Sequence, residues 1–222
     1  MESKKTAGEK AVEYIRESMV VGLGTGSTVA YTITLLAEKI KEGLNVTLLS
    51  TSRATTELVR SLGIKTSSLK GIKKIDLNID GADEVDRNLN GIKGGGGALL
   101  YEKIIAYHSD RVIWVVDESK LVEKTGNFPL PVEVLPFGAE LTFNKLHNMG
   151  YNPKFRFFGK NRYITDGGHY IIDLKTGPIE NMEQLDQELK SVPGILETGL
   201  FYNIADEVIV GNHNTVSIIP DK

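Results

Sequence analysis

The 222-residue chain carries 26 basic against 29 acidic side chains, so no strong global field draws it toward nucleic acid or anionic lipid. It has no cysteine, which removes disulfides, thiolate metal sites and a Cys nucleophile. No apolar run approaches the roughly 18 residues of a membrane span, and the Met-Glu-Ser-Lys-Lys start lacks a signal-peptide core, so a cytoplasmic location is expected.

Residues 3–18 set Ala7, Ala11, Val12, Tyr14 and Ile15 among charges, which predicts an amphipathic helix. Residues 19–23 form a short apolar strand, Gly24-Thr25-Gly26-Ser27-Thr28 a turn, and 29–40 a helix. The Ser and Thr hydroxyls of that turn can cap the helix or bind an anion at its N-terminus. Gly22, Gly24 and Gly26 approach a dinucleotide fingerprint, which also requires an acid ending the second strand. That strand, 46–49, instead runs into Ser50-Thr51-Ser52-Arg53, a set better suited to phosphate or sugar. A P-loop fails as well, because no Lys-Ser or Lys-Thr follows a glycine loop in frame.

A helix is expected over 53–62, then a buried strand over 75–79 that delivers Asp80-Gly81-Ala82-Asp83-Glu84 to its C-terminal end. Open α/β sheets bind their ligands at such ends. Lys93-Gly94-Gly95-Gly96-Gly97 then leads into a helix from Ala98, with Glu102 about one turn inside. Taken singly, these are a strand-end turn, a flexible loop and a surface glutamate. Together they place acids, an ammonium, an anion cradle and a candidate base within one short stretch. Ala98, Glu102 and Ile105 share a helical face, so the Glu102 carboxylate is expected to be half-buried, with its pKa raised by desolvation. Clustered carboxylates also suit a divalent metal, but His108, His147, His169 and His213 lie scattered without ligand spacing, so no metal is expected. Strand 111–116 ends in Asp117-Glu118-Ser119-Lys120, and the ends at 24–28, 80–84 and 117–120 can converge on one crevice. The alternation of strands and helices predicts a mostly parallel, doubly wound sheet.

The pattern changes near Pro129-Leu130-Pro131. Strand 132–135, helix 139–149, strand 154–158, a hairpin 162–173 turning at Asp166-Gly167-Gly168, helix 181–190 and strand 195–201 approximate a ferredoxin-like β-α-β-β-α-β unit. Strands 208–210 and 216–219 are expected to return to the first sheet. The reading is therefore α/β, with a Rossmann-like domain of residues 1–130 plus 207–222 and a smaller ferredoxin-like α+β domain of residues 131–206 inserted into it.

Gly22-Leu23-Gly24-Thr25-Gly26-Ser27-Thr28, Asp80-Gly81-Ala82-Asp83-Glu84, Lys93-Gly94-Gly95-Gly96-Gly97-Ala98, Glu102-Lys103-Ile104-Ile105 and Asp117-Glu118-Ser119-Lys120 together resemble type A ribose-5-phosphate isomerase. Phe128-Pro129-Leu130-Pro131-Val132-Glu133-Val134 and Glu197-Thr198-Gly199-Leu200-Phe201 extend the resemblance, which runs in order from about residue 7 to the C-terminus. Tyr101 departs from it, standing where many members have arginine.

The resemblance implies interconversion of ribose 5-phosphate and ribulose 5-phosphate without a cofactor, an inserted lid, and a homodimer or homotetramer. It matches Glu102 to the proton acceptor, and Thr25, Gly26, Ser27, Thr28, Asp80, Gly81, Ala82, Asp83, Lys93, Gly94, Gly95, Gly96 and Lys120 to substrate-binding positions. The chemistry fits these residues. One carboxylate can move a proton from C2 to C1 through an enediolate, Lys93 can stabilise the oxyanion, and Asp80 or Asp83 can handle the hydroxyl protons. Phosphate is expected on the Ser27–Thr28 turn near Lys120, with the four-glycine loop as the rival site. A sugar-phosphate-sensing domain would need a DNA-binding segment, for which there is no room before Met19, and would have no use for a base at Glu102. An NAD-dependent dehydrogenase is weakened by the missing acid after the second strand. Neither nucleic acid nor membrane is an expected partner.

Overall fold

The computed structural model describes residues 1–220. Its elements run α1 (Glu2–Ala11), β1 (Val20–Leu23), α2 (Val29–Lys41), β2 (Thr47–Ser50), α3 (Arg53–Ser61), β3 (Leu77–Asp80), β4 (Glu84–Val85), β5 (Gly91–Ile92), α4 (Leu99–Tyr107) and β6 (Val112–Asp117). They continue through β7 (Leu130–Val134), α5 (Ala139–Asn148), β8 (Asn152–Phe155), β9 (Phe157–Phe158), β10 (Asn161–Arg162), β11 (Tyr170–Lys175), α6 (Met182–Lys190), β12 (Ile195–Thr198) and β13 (Leu200–Phe201) to the hairpin β14 (Glu207–Asn212) and β15 (Thr215–Pro220).

The main sheet has the order β15-β14-β6-β3-β1-β2, parallel except for the β14–β15 edge. Its strands read as continuous apolar runs because helices cover both faces. Along β6, Ile113 and Val115 pack with α1 and α2, whereas Val112, Trp114 and Val116 pack toward Leu99 and Ala106 of α4. The chain passes from β1 outward to β2 and then returns to the other side of β1 with β3. This reversal opens a crevice above the C-terminal ends of β1 and β3, where doubly wound folds bind ligands.

The second sheet, β12-β7-β11-β8, is antiparallel throughout. With α5 and α6 in the crossovers it has ferredoxin-like connectivity around its own core of Leu130, Val132, Ile172, Leu174 and Leu189.

Several elements differ from the expectation. The first helix ends at Ala11 rather than near residue 18, because Ile15 turns extended into the core and Ser18 takes a left-handed φ of 65°. The expected strand 154–158 breaks at Arg156. Its second half pairs with β10 through a turn at Gly159, so the expected hairpin 162–173 keeps only an Ile164–Tyr170 bridge on its first arm. Strand 195–201 splits at Gly199, whose N–H donates to the Pro131 carbonyl at 2.7 Å and whose carbonyl accepts the Lys93 N–H at 2.9 Å. A Cβ at Gly199 would lie 2.3 Å from the Lys93 carbonyl oxygen. Beyond the split, β13 joins β5 and β4 in a small third sheet and ties the inserted unit to the backbone of Lys93. Strands β4 and β5 are two residues each and carry no periodic signal.

Candidate active site

The close approach of β1 and β3 builds the floor of the crevice. Gly24 donates its N–H to the Ile79 carbonyl at 2.9 Å, and a Cβ there would lie 1.7 Å from Oδ1 of Asp80. Only a glycine lets the turn pass over that carboxylate. Asp80 Oδ1 accepts N–H donations from Gly81 at 2.7 Å and Thr25 at 3.2 Å. Behind the turn, the Thr25 hydroxyl meets Ser52 at 2.6 Å and Thr55 and Thr51 at 3.2 Å. Ser52 also caps α3 by accepting the Thr55 N–H.

Asp80, Lys93 and Glu102 form a triad that is 0%, 2% and 3% exposed. The Lys93 ammonium lies 3.1 Å from Asp80 Oδ2 and 3.2 Å from Glu102 Oε2. Its aligned hydrogen bond goes to the Gly81 carbonyl, so both carboxylate oxygens are in ion-pair range without a well-directed donor. Burial pushes the Glu102 carboxyl up to about 8, with Asp80 adding to the rise and Lys93 opposing it. Burial raises Asp80 too, against the pull of Lys93. For Lys93, burial acts to lower the pKa, but the charges of Asp80 and Glu102 outweigh it and hold the amine protonated. The expectation of a half-buried Glu102 is therefore corrected: α4 starts directly beneath the loop and seals the carboxylate against β3. Lys103 fastens this turn of α4 to the inserted unit through Glu197 and the Thr198 carbonyl, both at 2.8 Å.

These groups bound a cavity of about 170 Å³. Of the residues singled out from sequence, Thr25, Gly26, Ser27, Thr28, Gly81, Ala82, Asp83, Lys93, Gly94, Gly96, Glu102 and Lys120 line it. Asp80 and Gly95 do not. Asp80 stands behind Lys93, and the Gly95 N–H donates to Asp83 Oδ2 at 2.7 Å. Glu84 is also withdrawn, accepting the N–H groups of Gly126 and Phe128 at 2.7 Å each. Lys4 and Val115 line the cavity without having been singled out. Lys4 donates to Ser27 Oγ at 3.0 Å and lies 3.9 Å from Asp117. Its only sequence signal is one lysine among several in an amphipathic helix. The docking of α1 against the β14–β15 hairpin, where the His213 N–H donates to Ser3 Oγ at 2.9 Å, brings it to the site.

The cavity has two ends of different character. At one, Lys4 and Lys120 flank the turn before α2, where the N–H groups of Gly26, Ser27 and Thr28 have no protein acceptor among the described residues. At the other, the glycine loop meets Asp83, Lys93 and Glu102. Such a site can hold a dianion at the first end and exchange protons with a carbon skeleton at the second. Among the described residues, no group of three or more His, Asp or Glu side chains is gathered as a metal site.

Residues 47–215 match the family model described as ribose 5-phosphate isomerase A (phosphoriboisomerase A). The ribose-5-phosphate isomerase A of Streptococcus sanguinis is 48% identical over 217 residues, covering 97% of this chain and 96% of its own. That of Limosilactobacillus reuteri is 49% identical over 210 residues, covering 94% and 92%. Among solved structures, a D-ribose-5-phosphate isomerase in complex with phospho-erythronic acid superposes with a TM-score of 0.94 at 41% identity, covering 99% of this chain and 98% of its own. The Plasmodium falciparum ribose 5-phosphate isomerase gives a TM-score of 0.94 at 35% identity over 100% of both chains.

Proposed function

The chain belongs to the ribose-5-phosphate isomerase A family and interconverts D-ribose 5-phosphate and D-ribulose 5-phosphate, and we propose that it does so by metal-free proton transfer through an enediolate. The observation that carries this mechanism is the Glu102 carboxylate at the cavity wall, 3.2 Å from the Lys93 ammonium and raised to about 8. A base with a pKa near the working pH is both sufficiently deprotonated and sufficiently basic.

In the open-chain aldose, Glu102 takes the C2 proton as the C2–H electron pair forms the C1=C2 bond and the carbonyl π pair moves onto O1. Lys93 and the loop amides stabilise the oxyanion. A proton passes from O2 to O1, the C2 carbonyl forms, and Glu102 returns its proton to C1. Asp83, on the cavity wall, handles the hydroxyl protons. Asp80, behind Lys93, holds the ammonium in place. No cofactor enters the balance.

The phosphate belongs on the Gly26–Thr28 turn between Lys4 and Lys120. The glycine loop already has the Asp83 carboxylate on its Gly95 N–H, and that charge opposes a second anion there. Phospho-erythronic acid, bound by a structural relative, pairs a phosphate with a carboxylate and so resembles the enediolate in charge. We extend the reading to a cytoplasmic homodimer or homotetramer. Residues 1–130 with 207–222 act as the catalytic unit, and 131–206 as lid and assembly surface. Support for the assembly comes from Phe137, Phe158 and Leu141, which are 93%, 80% and 75% exposed on the inserted unit.

The test is turnover of ribose 5-phosphate in D2O with excess chelator. Proton transfer puts solvent deuterium at C1 of the product. Complete retention of the substrate's C2 hydrogen at C1, or loss of turnover with the chelator, would sink the mechanism.

A further inference from the structure

We infer that Arg156, supported by Tyr163, is a positioning residue for the isomerisation: it turns the carbonyls of the glycine loop outward and so aims the Gly96 N–H at the developing oxyanion. The inference rests on the enediolate mechanism above.

Four consecutive glycines have little conformational preference of their own, so the orientation of their peptide groups must be imposed from outside. The inserted unit imposes it. Arg156, at the break between β8 and β9, donates from Nη1 to the Gly94 carbonyl at 2.7 Å and the Gly95 carbonyl at 3.1 Å. Its Nε donates to Asp173 Oδ2 at 3.0 Å and its Nη2 to Asp173 Oδ1, which fixes the guanidinium plane from behind. The Tyr163 hydroxyl donates to the Gly96 carbonyl at 3.1 Å, and its own N–H donates to the Arg156 carbonyl at 2.9 Å. Three successive loop carbonyls are thus drawn toward one clamp.

In a trans peptide the N–H points opposite to the C=O, and no peptide bond among the described residues is cis. The amides of Gly95 and Gly96, trans to the two carbonyls that Arg156 holds, therefore turn away from the guanidinium. The Gly95 N–H goes to Asp83 and the Gly97 N–H to the Gly94 carbonyl at 2.9 Å. The Gly96 N–H has no protein acceptor among the described residues, and Gly96 lines the cavity with Lys93 and Glu102. It is a preoriented donor beside the reacting carbons. Arg156 and Tyr163 do not line the cavity, so they act through the loop, and the donor they aim counts most where negative charge develops on the substrate oxygen.

The experiment compares Arg156→Met, Arg156→Lys and Tyr163→Phe with wild type for kcat, KM and affinity for two probes, phospho-erythronic acid and ribitol 5-phosphate. Loss of an oxyanion donor lowers kcat by about 10²–10³-fold, so a misaimed one in Arg156→Met is expected to lower it about 10–100-fold with KM within about threefold. Arg156→Lys, which keeps one donor, recovers part of this. Affinity for the acid falls in step with kcat/KM, while affinity for the polyol phosphate holds. Wild-type kcat in Arg156→Met, or equal loss of both affinities, would overturn the inference. If Arg156→Met does not fold, Tyr163→Phe decides: it should lose about 3–10-fold in kcat with the same split between probes, and an unchanged kcat overturns the inference. Hydride-shift labelling of the wild type would instead overturn the enediolate mechanism itself.

Discussion

Lys93 carries its ammonium between two buried carboxylates, 3.1 Å from Asp80 and 3.2 Å from Glu102. One cation cannot neutralise two anions in a medium where each charge is poorly solvated, so the pair holds a proton above the usual carboxylate range. Glu102, raised to about 8 by burial and then by Asp80, is the one of the two carboxylates that lines the cavity. A base must be deprotonated to act, so kcat/KM should rise with pH and level off above about 8. Asp80→Asn removes the negative charge that adds to the rise, so the limb should move to lower pH. A pH profile of kcat/KM for both proteins checks this, and an unmoved limb would contradict the coupling. The stability sign runs the other way. The native Glu102 pKa lies above its unfolded value, so the buried carboxylate lowers stability as pH rises through that range. The sequence shows Asp80, Asp83, Lys93 and Glu102 as a cluster. It hides which acid faces the substrate, because that depends on strand direction and on the loop that carries Lys93 back over β3.

At the scale of elements, the site exists because β1 and β3 lie side by side with no room between Gly24 and Asp80. Gly24→Ala would drive a methyl into the carboxylate, a form of overpacking that typically costs about 1–3 kcal/mol, and would displace Lys93 with it. We expect a lower denaturation midpoint and a fall in kcat/KM of more than about 10²-fold, read from denaturant titration and steady-state kinetics. Normal activity in Gly24→Ala would show that Asp80 can move without consequence. The strand–turn–helix units at 20–41 and 77–107 were legible from their apolar runs and glycine turns. The breaks at Arg156 and Gly199 were not. Each lies in a stretch with strand-like residues on both sides, and each bends to meet a group distant in sequence, the Gly94 and Gly95 carbonyls for one and the Lys93 backbone for the other.

For the whole molecule, two units of different architecture share one site: the doubly wound sheet supplies the charges, and the ferredoxin-like unit supplies the clamp on the glycine loop. Lys4 shows why part of this was unreadable. No local pattern marks it, and only the packing of the first helix against the last hairpin carries it to the cavity. On the outer face of the inserted unit, an Arg162–Glu140 bond of 2.7 Å holds β10 beside the first turn of α5. Phe137, Leu141 and Phe158 remain in solvent there. Light scattering should give a multiple of the protomer mass, and Phe137→Ser with Phe158→Ser should shift it toward the monomer. A monomeric wild type would leave those side chains unexplained. The enediolate mechanism is tested most directly by the turnover of Glu102→Gln under chelation, with phospho-erythronic acid affinity measured alongside to confirm an intact site. General-base catalysis contributes about 10²–10⁴-fold, and Glu102→Gln is expected to lose kcat at the upper end of that range. A variant that keeps kcat within about tenfold of wild type would assign the proton transfer to another group.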